Sequence, residues 1–275
     1  MAVVTISRGT FSGGTLLAEQ LCRRLSYRNI DRDAIVERAA TPEVSQAQLR
    51  EALEEPPGIT GRSRHKRYLY LSLIQAALAE DVRAGNAVYH GLAGHLLLRG
   101  VPGILRLRII APLDYRIKMA CEHLRLNRHD AVKHIQEMDQ HRRKWTRYLY
   151  RVDWEDPALY DFVLNLEQVS IESACDIAAA MVEKNTVNFS PATERALADL
   201  AVASRVRADL ATNPATANLE VHVESHGGKV SIQGNLSGRG NEVFSIARAV
   251  PGVVDIVFAE PEQMDEAWPW SSMTR

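Results

Sequence analysis

Val3 to Leu25 reads VVTISRGTFSGGTLLAEQLCRRL: a short apolar run rich in β-branched residues, a turn through Gly9, Gly13 and Gly14, then apolar residues at helical spacing. The pattern predicts a strand, a glycine-rich turn and a helix. In such a turn consecutive backbone N–H groups converge on one concavity at a helix N-terminus. Partial positive charge gathers there, and a phosphate can be held without a charged side chain.

The spacing of Gly9 and Gly14 fits the G-x-x-x-x-G half of a P-loop, but Thr15 and Leu16 stand where its Lys and Ser/Thr belong. Neither register of the helix restores the lysine. Two readings follow. Gly9, Thr10, Ser12, Gly13, Gly14 and Thr15 form a cradle for phosphates, or the glycines serve only a strand-to-helix turn.

Working outward, Tyr27 to Ile30 is extended and ends in Asp31-Arg32-Asp33, read either as a helix cap with solvated charges or as side chains reaching a substrate. Helices are predicted over Arg32–Ala39, Ser45–Glu54 and Tyr68–Ala84. The turn Pro56-Pro57-Gly58 and the basic run Arg62, Arg64, His65, Lys66, Arg67 lie between the last two. Strands follow at Ala87–Tyr89 and Ile104–Ala111, the latter with Arg106 and Arg108 on one face. Helices from Asp114 and from about Asp130 to Tyr150, a strand at Phe162–Leu166 and a helix at Ile171–Glu183 complete the series. Such alternation implies a parallel sheet covered on both faces, with ligands at the C-terminal ends of its strands. There the glycine turn, Asp31, His90 and the end of Ile104–Ala111 converge.

Lys184–Pro191 loses periodicity and reads as a linker. Beyond it a helix, Thr193–Leu210, two alternating strands around His226-Gly227-Gly228, a helix near Glu242–Val250 and a strand at Val253–Phe258 predict a compact αββαβ unit. Trp268-Pro269-Trp270 reads as a flexible end or a docking anchor.

The chain has 275 residues, 46% hydrophobic and 24% charged, which suits one large globular domain or a medium one plus a small one. Its net charge of −1 gives no global attraction to nucleic acid or anionic membrane, so phosphate affinity rests on local arginines and no nucleic-acid partner is expected. Cys22, Cys121 and Cys175 lack metal or disulfide spacing, no stretch is long and apolar enough for a transmembrane helix, and no signal-peptide pattern opens the chain. A reduced, cytoplasmic protein is expected.

From Ile6-Ser7-Arg8 through Ser12-Gly13-Gly14 and Asp31-Arg32 to Val152–Asn165, VDWEDPALYDFVLN, the first domain (1–184) resembles the cytidylate kinase-like branch of P-loop nucleoside monophosphate kinases. The resemblance implies a helix-flanked sheet, ATP or another nucleoside triphosphate with Mg²⁺ on the glycine loop, an acceptor nucleotide beside it, and an arginine-bearing lid at Asp139–Arg147. It implies substrate contacts from Asp31, Arg32, Arg106, Arg108 and Asp139, and catalytic charge from Arg142, Arg143 and Arg147. Asp139 and Arg142 keep the aspartate-to-arginine spacing that holds the pyrimidine nucleotide in true cytidylate kinases. Two departures accompany the missing lysine: Ile135 replaces an arginine four residues before that aspartate, and Gly91-Leu92-Ala93 replaces a G-R-D segment. Arginines, Arg8 among them, would have to supply the missing charge. A catalytically weak nucleotide sensor is the alternative.

The C-terminal unit (192–262) resembles a BON domain through Gly228-Lys229-Val230-Ser231-Ile232-Gln233-Gly234 and Val250-Pro251-Gly252-Val253-Val254. That likeness implies a small ligand, an ion or a lipid as partner, or a role in homo-oligomerisation.

Overall fold

The computed structural model describes residues 1–54, 61–91, 93–184 and 188–259, without the side chains of residues 54 and 61–67. Pro56-Pro57-Gly58, Leu92, the middle of the predicted linker and Trp268-Pro269-Trp270 lie outside these residues, as do the side chains of the basic run from Arg62 to Arg67.

In chain order the elements are β1 (Val3–Arg8), α1 (Gly14–Leu25), β2 (Arg28–Asp31), α2 (Arg32–Ala39), α3 (Gln46–Glu54), α4 (Gly61–Val82), β3 (Ala87–His90), α5 (Gly94–Leu97), β4 (Ile104–Ile110), α6 (Leu113–Leu124), α7 (Arg128–Tyr150), β5 (Phe162–Asn165), α8 (Ile171–Glu183), α9 (Pro191–Thr212), β6 (Val221–His226), β7 (Lys229–Gly234), α10 (Gly240–Ala249) and β8 (Asp255–Ala259). The short α5 was not predicted, because four residues are too few to show a helical period. Asn127 caps α7, its side chain accepting from Asp130 N, which starts that helix two residues before the predicted Asp130.

Packing divides the chain into two compact units, Met1–Arg32 with Gly85–Ser190, and Asp33–Ala84 with Pro191–Arg275. The sequence reading runs the first domain unbroken over 1–184. In the structure Asp33–Ala84 instead packs with the C-terminal elements, because the apolar residues of α4 are buried against α9.

The first unit is built on a sheet of order β2-β3-β1-β4-β5, with every pairing parallel. Alternation along β1 sends Val4 and Ile6 into one core with Leu17 and Leu21 of α1, Leu105, Leu107 and Ile109 of β4, and Ala174 and Ala178 of α8. A smaller cluster, Ile117, Ala120, Ala131 and Ile135, joins α6 to α7. With β1 central, the turn after Arg8 opens at the C-terminal edge of the sheet between β3 and β4, the crevice where parallel sheets place ligands.

The second unit has a three-stranded sheet, β6 antiparallel to β7 and β7 parallel to β8, over a core of Val206, Leu210, Val223, Val230, Ile232, Val243 and Ala247. From Pro191 onward its element order is the αββαβ read from the sequence.

Candidate functional site

The turn is closed by its own backbone. Gly9 N donates to Ile109 O at 3.2 Å and Ser12 N to Gly9 O at 3.1 Å. Ser12 Oγ lies 2.9 Å from Gly9 O and 3.0 Å from Ile109 O and is fully buried. Its hydroxyl therefore fastens the loop to β4, where the sequence reading set it among the phosphate ligands. Phe11 and Gly13 are left-handed, at φ 59° and 87°. A Cβ on Gly13 would lie 2.9 Å from Leu166 Cδ1, and one on Gly14 would lie 2.7 Å from Arg8 Cβ. Phe11 accepts an unfavourable backbone for a side chain that packs between His123 and His134, anchoring the loop to α6 and α7. The first N–H groups of α1, at Gly14 and Thr15, have no acceptor within the helix and face this turn.

Around Thr10 the charges gather. Thr10 N and Oγ1 donate to Asp139 Oδ1 at 3.3 and 2.8 Å. Arg116 donates from Nε to Thr10 O at 2.7 Å and pairs through its other nitrogen with Asp139 Oδ2. Arg142 reaches Arg8 O at 3.0 Å, Thr10 Oγ1 at 3.3 Å and Asp139 Oδ1 at 3.5 Å. Burial, reinforced by Arg8, Arg116 and Arg108 against the opposing Asp139, brings Arg142 down to about 10. Burial also lowers Arg8, whose guanidinium lies 3.5 Å from His90 Nδ1. His90 is itself pushed down to about 4, first by burial and then by Arg8, and so is neutral at pH 7. Two arginines thus share one carboxylate at Thr10, and the positive charge of Arg8 lies close to one of them.

Residues 3–168 match the cytidylate kinase-like family, more than half of the 275-residue chain. The chain belongs to that family. It is 29% identical over 107 residues to a cytidylate kinase of Staphylothermus marinus, and 26% identical over 106 residues to one of Methanocaldococcus jannaschii. Each alignment takes in 38% of this chain and 59% or 60% of the relative, so the chain spans about three-fifths of the length of these curated relatives. An uncharacterized protein from Eubacterium ventriosum shares the fold at 16% identity and a TM-score of 0.51, over 67% of this chain and all of that one.

The resemblance to true cytidylate kinases leads one to expect an arginine at position 135, and here Ile135 is 1% exposed within the α6–α7 cluster. A guanidinium there would be buried among Ile117, Ala120 and Ala131. Asp31 ends β2 opposite His90, and Arg32 opens α2; both act electrostatically on Arg8 and so border the loop. The other predicted residues are spread more widely. Arg108 is buried, donating to Trp154 O at 2.7 Å and to Tyr160 Oη at 3.3 Å, with its guanidinium 4.2 Å from the Trp154 ring centre. The same ring lies 5.2 Å from Arg142, so Arg108 supports the site from beneath. Arg106 lies two residues nearer the start of β4, doubly bonded to Asp161 at 2.6 and 3.2 Å, and does not reach the loop. Arg143 pairs with Glu155 at 2.8 Å and Arg147 with Asp153 at 3.6 Å, both exposed on α7, and Arg143 also feels the charge of Asp139.

Arg116 was missed. Its only signal was a position one turn into the helix that follows β4, the strand whose C-terminal end borders the loop. No helix among the described residues is long and apolar enough to cross a membrane, and no cluster of three or more His, Cys, Asp or Glu stands together among them.

Proposed function

We propose that the Gly9–Thr15 loop binds the phosphates of a nucleoside triphosphate such as ATP and that the first unit transfers a phosphoryl group to a nucleoside monophosphate. The observation that carries this reading is the excess of cation at Thr10: Arg116 and Arg142 share the Asp139 carboxylate, and Arg8 adds its positive charge beside Arg142. A polyphosphate entering the turn takes over the Thr10 N–H from Asp139 and meets guanidinium groups that stay charged at any working pH and grip phosphate oxygens in pairs. Phosphoryl transfer depends on positioning and on neutralising spread charge, and Arg142, which reaches Arg8 O, Thr10 Oγ1 and Asp139, takes that part here. Leu16 stands where a metal-binding hydroxyl belongs, so Mg²⁺ would be held by phosphate oxygens and water.

A second reading, a nucleotide sensor with little turnover, draws on the Asp139 carboxylate seated on the loop donor and on Ile135 in the core. In it the C-terminal unit, with its BON-like glycine pattern, carries the report.

The test is a panel of nucleotides with the full chain and Gly14→Val, its folding checked by circular dichroism. Triphosphate at 100 times its Kd stabilises the wild type by about 2.7 kcal/mol and leaves the variant unmoved. Equal triphosphate affinity in a folded variant overturns the loop assignment. Binding without transfer to any nucleoside monophosphate selects the sensor.

A further inference from the structure

The strands of the first sheet are parallel, so the residues that precede them lie at the edge opposite the glycine loop. At that edge, before β4 and β5, a cavity of about 510 Å³ is lined by His95, Arg99, Gly100, Gly103, Arg106 and Asp161. His95 is 5% exposed, with its ring 4.6 Å from that of Tyr160. Neither of its ring nitrogens has a hydrogen-bond partner among the described residues, and the buried Nη1 of Arg99 has none either. Native interiors rarely leave donors in this condition, and each one so left points to a missing ligand or water.

The surrounding charge narrows the choice. Asp161 is taken up by Arg106, whose backbone N, Nε and Nη2 all donate to it at 2.6 to 3.2 Å, so the carboxylate opposes little in the cavity. The Arg99 cation then dominates. Gly100 and Gly103, left-handed at φ 82° and 74°, carry no side chain to fill the space. A neutral imidazole offers one N–H and one lone pair, and the arginine offers donors only. The matching guest is an oxyanion that accepts several hydrogen bonds and can give one, which describes a hydrogen phosphate group better than a carboxylate. We propose that this cavity is a second phosphate-binding site, taking inorganic phosphate or the phosphate of a small monoester between Arg99 and His95. It is independent of the nucleotide loop.

The experiment follows the His95 imidazole resonance of the full chain by NMR, assigned through His95→Asn, while inorganic phosphate or glycerol phosphate is added. Saturable movement is expected in the wild type and equally in Gly14→Val, which keeps this cavity while losing the glycine loop. Arg99→Gln should weaken phosphate at least tenfold. Arg99→Lys, which keeps the charge without the fork, should fall between and serves if the glutamine variant does not fold. Movement by glycerol phosphate identifies a monoester site, and movement by inorganic phosphate alone identifies a free-ion site. A resonance unmoved at millimolar phosphate, one that drifts without saturation in any salt, or one that stops responding in folded Gly14→Val overturns the proposal.

Discussion

Arg142 of the first unit and Arg207 of the second are both withdrawn from water, and they are partnered in opposite ways. Arg207, 3% exposed, donates to Val223 O at 3.0 Å, Gln75 Oε1 at 2.8 Å and Ser204 Oγ at 2.7 Å, while Ser204 Oγ donates to Gln75 at 2.9 Å. Oxygens of three elements accept from it, as suits a group that fixes architecture. Arg142 shares one carboxylate with Arg116, and Arg8 and Arg108 add to the positive charge around it. A buried cation bonded to fixed neutral acceptors helps hold a fold together; two cations sharing one carboxylate leave room for a guest.

The sharpest way to break this contrast is alanine at each arginine. Arg207→Ala strands acceptors in a buried network and should lower the stability of the second unit by about 3 kcal/mol in urea unfolding, with triphosphate binding kept. Arg142→Ala leaves Asp139 paired with Arg116, so it should cost less stability than Arg207→Ala but ten-fold or more in triphosphate affinity. Reversed outcomes would erase the distinction between the two sites.

Acid comes next. His90 is lowered to about 4 by burial and Arg8 against Asp31, and His95 to about 3 by burial and Arg108, Arg106 and Arg99. Both lie below the ordinary 6.5, so the unfolded chain takes up protons first as pH falls. Their stabilising contribution is complete above pH 6.5 and declines as pH drops toward 4 and then 3. Between pH 6.5 and 5 the first unit should lose about 3 kcal/mol, and His95→Asn should flatten that slope by roughly half. An unchanged slope in the variant would mean that His95 titrates normally.

Asp139→Asn keeps an oxygen for Thr10 and removes the charge that opposes phosphate. Triphosphate should bind about tenfold more tightly, roughly 1.4 kcal/mol by calorimetry. Weaker binding instead would mean that Asp139 contacts the nucleotide, as the family spacing implies. The smallest effect belongs to Arg143→Ala, which removes an exposed pair with Glu155 and should change stability by at most about 0.5 kcal/mol. A large loss of turnover there would bring Arg143 back as a catalytic residue.

What the sequence disclosed is what local rules govern. The glycine turn, the alternation of strands and helices and the αββαβ order are written in spacings of a few residues, and all appear in the structure. Contacts across the fold were another matter. Arg116 meets Asp139 only because Ile117, Ala120, Ala131 and Ile135 pack α6 on α7. The same packing explains why Ile135, readable only as a lost arginine, is a core residue. Arg106 and Arg108 do share a strand face, yet position along β4 decides their partners, Asp161 for one and the Trp154–Tyr160 pair for the other. Ser12 looked like a phosphate ligand because hydroxyls accompany glycine loops, and nothing local revealed that Ile109 O occupies it.

The network joining Gln75 to Ser204 and Arg207 bridges two stretches of chain more than a hundred residues apart, with most of the first unit between them. One cut near Lys184 would thus divide the second unit rather than free it. The order of manufacture is affected too. At about 5–20 residues per second, α4 leaves the ribosome several seconds before α9 exists, so Gln75 and the helix around it must wait for Ser204 and Arg207. In that interval the nascent chain carries an uncovered apolar helix while the first unit is still being completed, and it is then that a chaperone would have something to hold.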